Sequence, residues 1–227
     1  MTNPVSSPPH DSCGLFITFE GTEGGGKSTQ IQRLERRLAE LGRRVRRLRE
    51  PGGTPLGEEI RHTLKHSENN RGMTAEAELL LMNASRAQLV REVIRPALAA
   101  GEVVLCDRFL DSTIAYQGFG RGLDLAQVNA IVDFAVGSTR PDLTFLLAVP
   151  VEVSEQRRAV RSARETAVVR DRFEEEDRRF FAAVEAGFRD QASKEPSRIR
   201  VIDASRNIDE VEADIWSWVQ PFFPHLS

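Results

Sequence analysis

The sequence predicts an α/β fold, a doubly wound parallel sheet of five strands flanked by helices, with a lid segment. Three observations carry that prediction. Short apolar runs alternate with amphipathic helical stretches along the whole chain. One run, Val103–Cys106, is apolar throughout, the pattern of a parallel strand covered on both faces. The first run leads through a glycine-rich turn straight into a helix.

Taken in order, the first strand is Leu15–Glu20. After the glycine turn, Ile31, Leu34, Leu38 and Leu41 recur at helical spacing and Gly42 closes that helix. Val45–Arg49 is a short second strand stopped by Pro51-Gly52-Gly53, and a helix follows from Gly57 to about His66. A polar loop, Ser67 to Gly72, leads into a long helix opened by Thr74, with Glu76 and Glu78 in its first turns and Pro96 as a kink before Ala100. Beyond the third strand come a short helix around Ser112–Tyr116, a loop broken by Gly118, Gly120 and Gly122, and a helix from Leu125 to Val136. Leu143–Val149 is the fourth strand, followed by a helix from Val153. A helix from Glu174 carries Phe180, Phe181, Val184 and Phe188 on one face, read as core packing. Ile199–Ile202 is the fifth strand and Ile208–Val219 the closing helix.

Bulk properties narrow the function classes. The chain has 227 residues and a net charge of −3, long enough for a sizeable core and without the basic field of a nucleic-acid binder. Cys13 and Cys106 fit a reduced compartment better than a disulfide framework. No apolar run approaches the ~20 residues of a membrane span. Met1–Ser12 has neither a basic nor an apolar signal region, so residues 1–12 are read as a disordered arm and 13–227 as one domain in the cytoplasm.

The chemistry begins at Gly21-Thr22-Glu23-Gly24-Gly25-Gly26-Lys27-Ser28, a G-x-x-x-x-G-K-S phosphate loop between strand and helix. Its glycines let successive N–H groups point at phosphate oxygens, and the helix start adds its positive dipole end. Lys27 reaches the outer phosphates as a point charge, and the Ser28 hydroxyl suits Mg²⁺. This makes the fold P-loop NTPase-type and a nucleoside triphosphate the expected ligand. In open parallel sheets ligands lie beyond the carboxyl ends of the strands. Glu20, Arg49-Glu50 and Asp107-Arg108 stand at those ends, a mix of carboxylates and guanidiniums suited to two phosphate groups and a metal. Downstream, Arg157, Arg158, Arg161, Arg164, Arg170 and Arg172 read either as a solvated charged face or as a lid, about 157–172, that closes arginine over a transferring phosphoryl group.

Several stretches together resemble the bacterial form of the thymidylate kinase family, nucleoside-monophosphate kinases that phosphorylate dTMP. FITFEGTEGGGKST, REPGGTPLGEEIR, ASRAQLV, VVLCDRFLDSTIAYQGFGRG, RPDLTFLL and DRFEEED stand in the family's order from about residue 14 to 219. The resemblance implies that Gly21 to Thr29 hold the ATP phosphates, with Lys27 on the transferred group and Ser28 near Mg²⁺. It implies that Glu23 faces the deoxyribose 3′-hydroxyl or a water beside it, and that Asp107 organises the metal's waters. Arg108 would touch the acceptor phosphate. Arg49, Glu50 and Arg61 belong to the acceptor site, Arg86 to the thymine carbonyl, and Thr113 and Gln117 to the remaining base edge. Tyr116 would occupy the place of a 2′-hydroxyl. Arg164, with Arg161 beside it, matches the lid arginines. A homodimer joined through helices, including Ala75–Ala99, is also implied.

Each assignment has a plainer rival. Alone, Arg61 and Arg86 fit solvated helix faces, Thr113 a turn cap, and Tyr116 a core residue with a wet hydroxyl. Asp107-Arg108 is harder to dismiss, since a charged pair directly after a buried strand costs desolvation unless it is used. Two positions depart from the family pattern: Met82 stands where a phenylalanine usually stacks on thymine, and Ala148 where relatives often carry a polar or acidic residue. A kinase of another monophosphate therefore stays open. So do a GTP-driven switch, although no N-K-x-D tetrapeptide is present, and a nucleotide sensor without catalysis. The four histidines, His10, His62, His66 and His225, lie outside every motif. No strong base is expected, because the accepting oxygen is already anionic.

Overall fold

The structure, a computed structural model, describes residues 14–150, 152–154, 156–157, 172–173 and 176–224. The strands are β1 Leu15–Glu20, β2 Val45–Arg49, β3 Val103–Asp107, β4 Leu143–Ala148 and β5 Ile199–Asp203. They form one sheet in the order β2-β3-β1-β4-β5, with every pair parallel. The alternation of side chains along each strand splits the core in two. Leu15, Ile17 and Phe19 meet α1 (Lys27–Glu40) and the last helix, α8 (Ile208–Val219), on one face. Phe16, Val104 and Cys106 meet α3 (Ala75–Leu89) and α6 (Leu125–Val136) on the other. Cys106 is a buried free thiol. No helix among the described residues is long and apolar enough to cross a membrane.

Register brings the strand ends into line. Phe19 lies beside Asp107, and Asp107 beside Arg49, so the loops after β1, β2 and β3 leave the sheet at one edge. Helix α2 runs Pro55–Lys65, two residues earlier than the sequence suggests at Gly57. The cause is the Thr54-Pro55 pair: the Thr54 hydroxyl accepts from the Gly57 N–H, and Pro55 brings a preset φ to the first turn. Helix α3 continues through a π turn, Val90–Ile94, into α4, Arg95–Ala99, where Pro96 sits in the first turn and its missing N–H is no loss.

Two segments differ from expectation. The glycine-broken stretch is no loop: α5 (Leu110–Thr113) runs on as a π-helix, Ile114–Gly120. Gly118 and Gly120 mark close packing instead, while Gly122, at φ 72° with open space around it, belongs to the turn that follows. A Cβ on Gly120 would stand 2.6 Å from the Phe180 ring, and one on Gly187 of the facing helix 2.8 Å from Phe119. That facing helix, α7, spans Arg178–Lys194 rather than starting at Glu174, because the Asp177 carboxylate accepts from the Phe180 N–H and caps it. Residues 1–13, with the expected arm and Cys13, and most of the expected lid, with Arg158, Arg161, Arg164 and Arg170, lie outside the described residues.

Candidate active site

A cavity of about 560 Å³ opens at the carboxyl edge of the sheet. On one side stands the phosphate loop. Gly26, at φ 87°, precedes α1 without a side-chain cap, which leaves the helix's first N–H groups open to an anion. Lys27 is buried, and its Nζ donates to the carbonyls of Gly21 and Thr22, both at 3.0 Å. Burial lowers its pKa to about 8, with Arg108 adding repulsion against the partial support of Asp107, Glu23 and Glu20. A bound phosphate's negative charge would offset both by favouring the protonated form.

Asp107 and Arg108 follow β3 directly. The Ser28 hydroxyl donates to Asp107 at 3.1 Å, so the two expected metal-side residues are brought together. Two hard oxygens fit Mg²⁺. Among the described residues no cluster of three or more acidic, histidine or cysteine side chains exists, so the rest of such a shell would be phosphate and water. Arg108 adopts φ 68°, rare for a residue with a side chain, and its N–H donates to Phe19 at 2.9 Å. That turn sends its guanidinium to Ser112, at 3.1 Å, and over the Tyr116 ring, 5.1 Å from its centre. Burial opposes its charge, but Tyr116, Glu23, Glu20 and Asp107 outweigh that and hold the pKa above its usual value.

Beneath Arg108 lies Glu20, which the sequence marks as a strand-end carboxylate beside the phosphate loop. Its carboxylate accepts from the N–H groups of Phe109 and Ser112, at 2.8 and 3.3 Å, and from the Ser112 hydroxyl. It thereby fixes the start of α5. Burial, then Asp111, raises its pKa to about 7 against Arg108, Ser112 and Phe109. Asp111 is itself clamped by Arg198 through bonds of 2.8 and 2.7 Å.

The opposite wall gathers the expected acceptor residues. Arg49, Glu50, Arg61, Met82, Arg86, Thr113, Tyr116 and Gln117 all line the cavity with Arg108. Arg86 is 2% exposed, not a solvated helix residue. It donates to Glu50 (2.9 Å), Asn83 (2.9 Å), Thr113 (2.9 Å) and the Phe109 carbonyl (3.0 Å), so a base carbonyl must share a donor already in use. Burial raises the Glu50 pKa against the pull of Arg86, and its Oε1 has no hydrogen-bond partner. Arg49 and Arg61 both donate to the Pro51 carbonyl at 3.0 Å. The Tyr116 hydroxyl is buried at this wall close to the Arg108 guanidinium, with no hydrogen bond of good geometry among the described residues.

Of the arginine-dense segment, Arg157 and Arg172 are described, and Arg157 lines the cavity. Arg157 donates to the Gly24 carbonyl (3.2 Å) and the Ala204 carbonyl (3.1 Å), and the Ser154 hydroxyl donates to the Glu23 carbonyl (2.6 Å), so this segment braces the phosphate loop. Arg172 is buried in an ion pair with Glu78. The loop after β5 adds Ala204 and Arg206, and the start of α8 adds Ile208 and Val211, to the cavity lining, residues no motif marks.

A family model described as thymidylate kinase matches residues 19–215. This chain belongs to the thymidylate kinase family. A thymidylate kinase of Pseudomonas syringae pv. tomato is 50% identical over 202 residues, 89% of this chain and 93% of that protein. The thymidylate kinase of Deinococcus radiodurans is 49% identical over 208 residues, 92% of this chain and 97% of that protein. The crystal structure of thymidylate kinase from Ehrlichia chaffeensis superposes with a TM-score of 0.72 at 34% identity, covering 92% of this chain and 99% of that one. The five-stranded parallel sheet and its phosphate loop are thus the architecture of a thymidylate kinase, as the sequence predicts.

Proposed function

We propose that the cavity holds ATP and dTMP tail to tail and passes the γ-phosphoryl group across it, giving ADP and dTDP. Phosphorylation of dTMP, a step in dTTP synthesis, is the activity of the family to which the chain belongs. The observation that carries the assignment of parts is the position of Arg108: it lies between the phosphate loop and the Arg86–Thr113–Tyr116–Gln117 wall, in one continuous cavity.

In this reading Gly21 to Thr29 cradle the ATP phosphates, and Lys27 leaves the carbonyls of Gly21 and Thr22 for the transferred group. Ser28 and Asp107 would hold Mg²⁺, Asp107 through water; the ion supplies charge neutralisation across the phosphates. Arg108, with Arg49 and Arg61, holds the acceptor phosphate, one of whose oxygens bonds to the γ-phosphorus as the bond to the ADP oxygen breaks. Glu23 and Tyr116 meet the sugar. Arg86, Thr113 and Gln117 read the base, and Met82 packs on its face through a thioether, worth ~0.3–1.5 kcal/mol. Arg164 and Arg161 are proposed to close over the reacting group from the lid. No proton need be abstracted, so positioning and electrostatics carry the rate.

We place one catalytic domain at 13–227 and assign the protein to the cytoplasm. The proposed homodimer is supported by Leu80 on α3 and Phe134 on α6, which are 56% and 83% exposed. The test of the catalytic assignment is dTDP formation from dTMP, ATP and Mg²⁺ by the wild type and by Arg108→Ala. Loss of product with ATP binding retained is expected; undiminished product from the variant overturns it.

A further inference from the structure

Glu78 belongs to no motif named above, yet it is fully buried at 0% exposure and ties four segments together. Its Oε1 accepts from Gln117 Nε2 at 2.7 Å and from Arg121 Nε at 3.1 Å. Its Oε2 accepts from Arg121 Nη2 at 3.0 Å and from Arg172 Nη1. Arg172 is anchored in turn to the Met73 carbonyl at 3.3 Å, while its own N–H donates to Lys65 at 3.1 Å. Arg121 also pairs with Glu176 at 2.6 Å.

One bond in this network has a chemical consequence inside the cavity. A carboxylate carrying two guanidiniums only accepts, so the Gln117 amide must turn its NH₂ toward Glu78. Its oxygen is then the end that Glu78 does not hold. Gln117 is a wall residue of the cavity beside Thr113 and Tyr116. The wall therefore offers an acceptor at this point and withholds a donor. A pyrimidine whose ring nitrogen carries a proton, as in thymine or uracil, matches it. Cytosine, whose ring nitrogen is an acceptor, sets two lone pairs against each other.

We propose that Glu78 is a positioning residue for acceptor choice: it never touches the nucleotide, but it locks the polarity of the Gln117 amide and so selects imide-bearing bases over cytosine. This rests on the acceptor base lying at the Gln117 wall, as in the proposed function. A site built to hydrogen-bond a group rejects the analogue lacking it strongly, by up to ~10⁴-fold, and a glutamine at this position could face Gln117 with either end of its amide.

The experiment is ADP release with dTMP and with dCMP for the wild type and for Glu78→Gln. The ratio of kcat/KM for dTMP over dCMP should fall at least ~10-fold, mainly through KM for the nucleotides. In a Gln117→Met background the same substitution should change that ratio no further. An equal loss for both acceptors, with the ratio intact, makes Glu78 a structural staple and overturns the inference while the kinase reading stands. A wild type that shows no preference for dTMP overturns the acceptor-site reading itself. If Glu78→Gln does not fold, Glu78→Asp keeps the charge for both arginines and draws the oxygens back by about 1.5 Å; the ratio should fall likewise, and an unchanged ratio again refutes the idea.

Discussion

Arg108 combines an uncommon backbone conformation with a half-buried guanidinium, and the crevice around it accounts for both. Its left-handed turn is held by Phe19 behind and by the Glu20–Ser112 pair beneath, so the guanidinium is in place before a ligand arrives. Removing such a preset donor typically costs ~2.7–4 kcal/mol, so Arg108→Ala should lower kcat about 10²–10³-fold while the Kd for ATP, read by titration, barely moves. Lys27 gives a pH signature. Its pKa of about 8 in the empty site means that it loses its proton as pH rises through that value. Bound phosphates favour the charged form. kcat/KM for ATP should therefore be level below pH 8 and fall up to about tenfold per pH unit above it, as steady-state kinetics across pH 6.5–9.5 would record. Arg86 adds a stability prediction. Truncating one partner of a buried ion pair costs ~3–5 kcal/mol, so Arg86→Ala should lower the thermal midpoint as well as weaken acceptor binding. Sequence reading reached Lys27, Asp107, Arg108 and Tyr116 because contiguous motifs hold them. Glu78 and Asn83 escaped it, and Glu20 was reached only as a strand-end carboxylate, since their partners are brought near by the fold alone.

At the scale of elements, β1, β3 and β4 were legible because burial on both faces leaves near-continuous apolar runs, whereas the partly exposed outer strands β2 and β5 showed only spaced apolar residues between turn signals. Helix starts were less so where a cap lay upstream of the apolar period, as at Thr54 and Asp177. The Gly118–Gly122 stretch shows a subtler limit: glycine marks a turn or a close approach with the same letter. Here both occur: Gly118 and Gly120 sit at close approaches in the π-helix, which packs against α7, while Gly122 makes the turn. Gly187→Ala would push a methyl to 2.8 Å from the Phe119 ring and 3.0 Å from the Ala115 Cα. Overpacking of this kind costs ~1–3 kcal/mol, which urea denaturation should show as a lower midpoint at unchanged slope. Because this helix carries Tyr116 and Gln117, acceptor KM should rise in the same variant.

For the whole molecule, the sheet order fixes the site's location before any side chain is considered. With β1 central and flanked by β3 and β4, the loops after β1 and β3 open into one crevice, and the cavity spans it. The faces of α3 and α6 carry the exposed Leu80 and Phe134, and light scattering should find a dimer that Phe134→Glu converts to monomer. The central claim is that this one crevice accepts ATP and dTMP together. Coupled ADP release with dTMP, dUMP, dGMP and dCMP side by side tests it most directly. Fast, Mg²⁺-dependent release with dTMP, weaker release with the other three and almost none without an acceptor is the predicted result. Release that favours another monophosphate, or that proceeds equally without any, would contradict it.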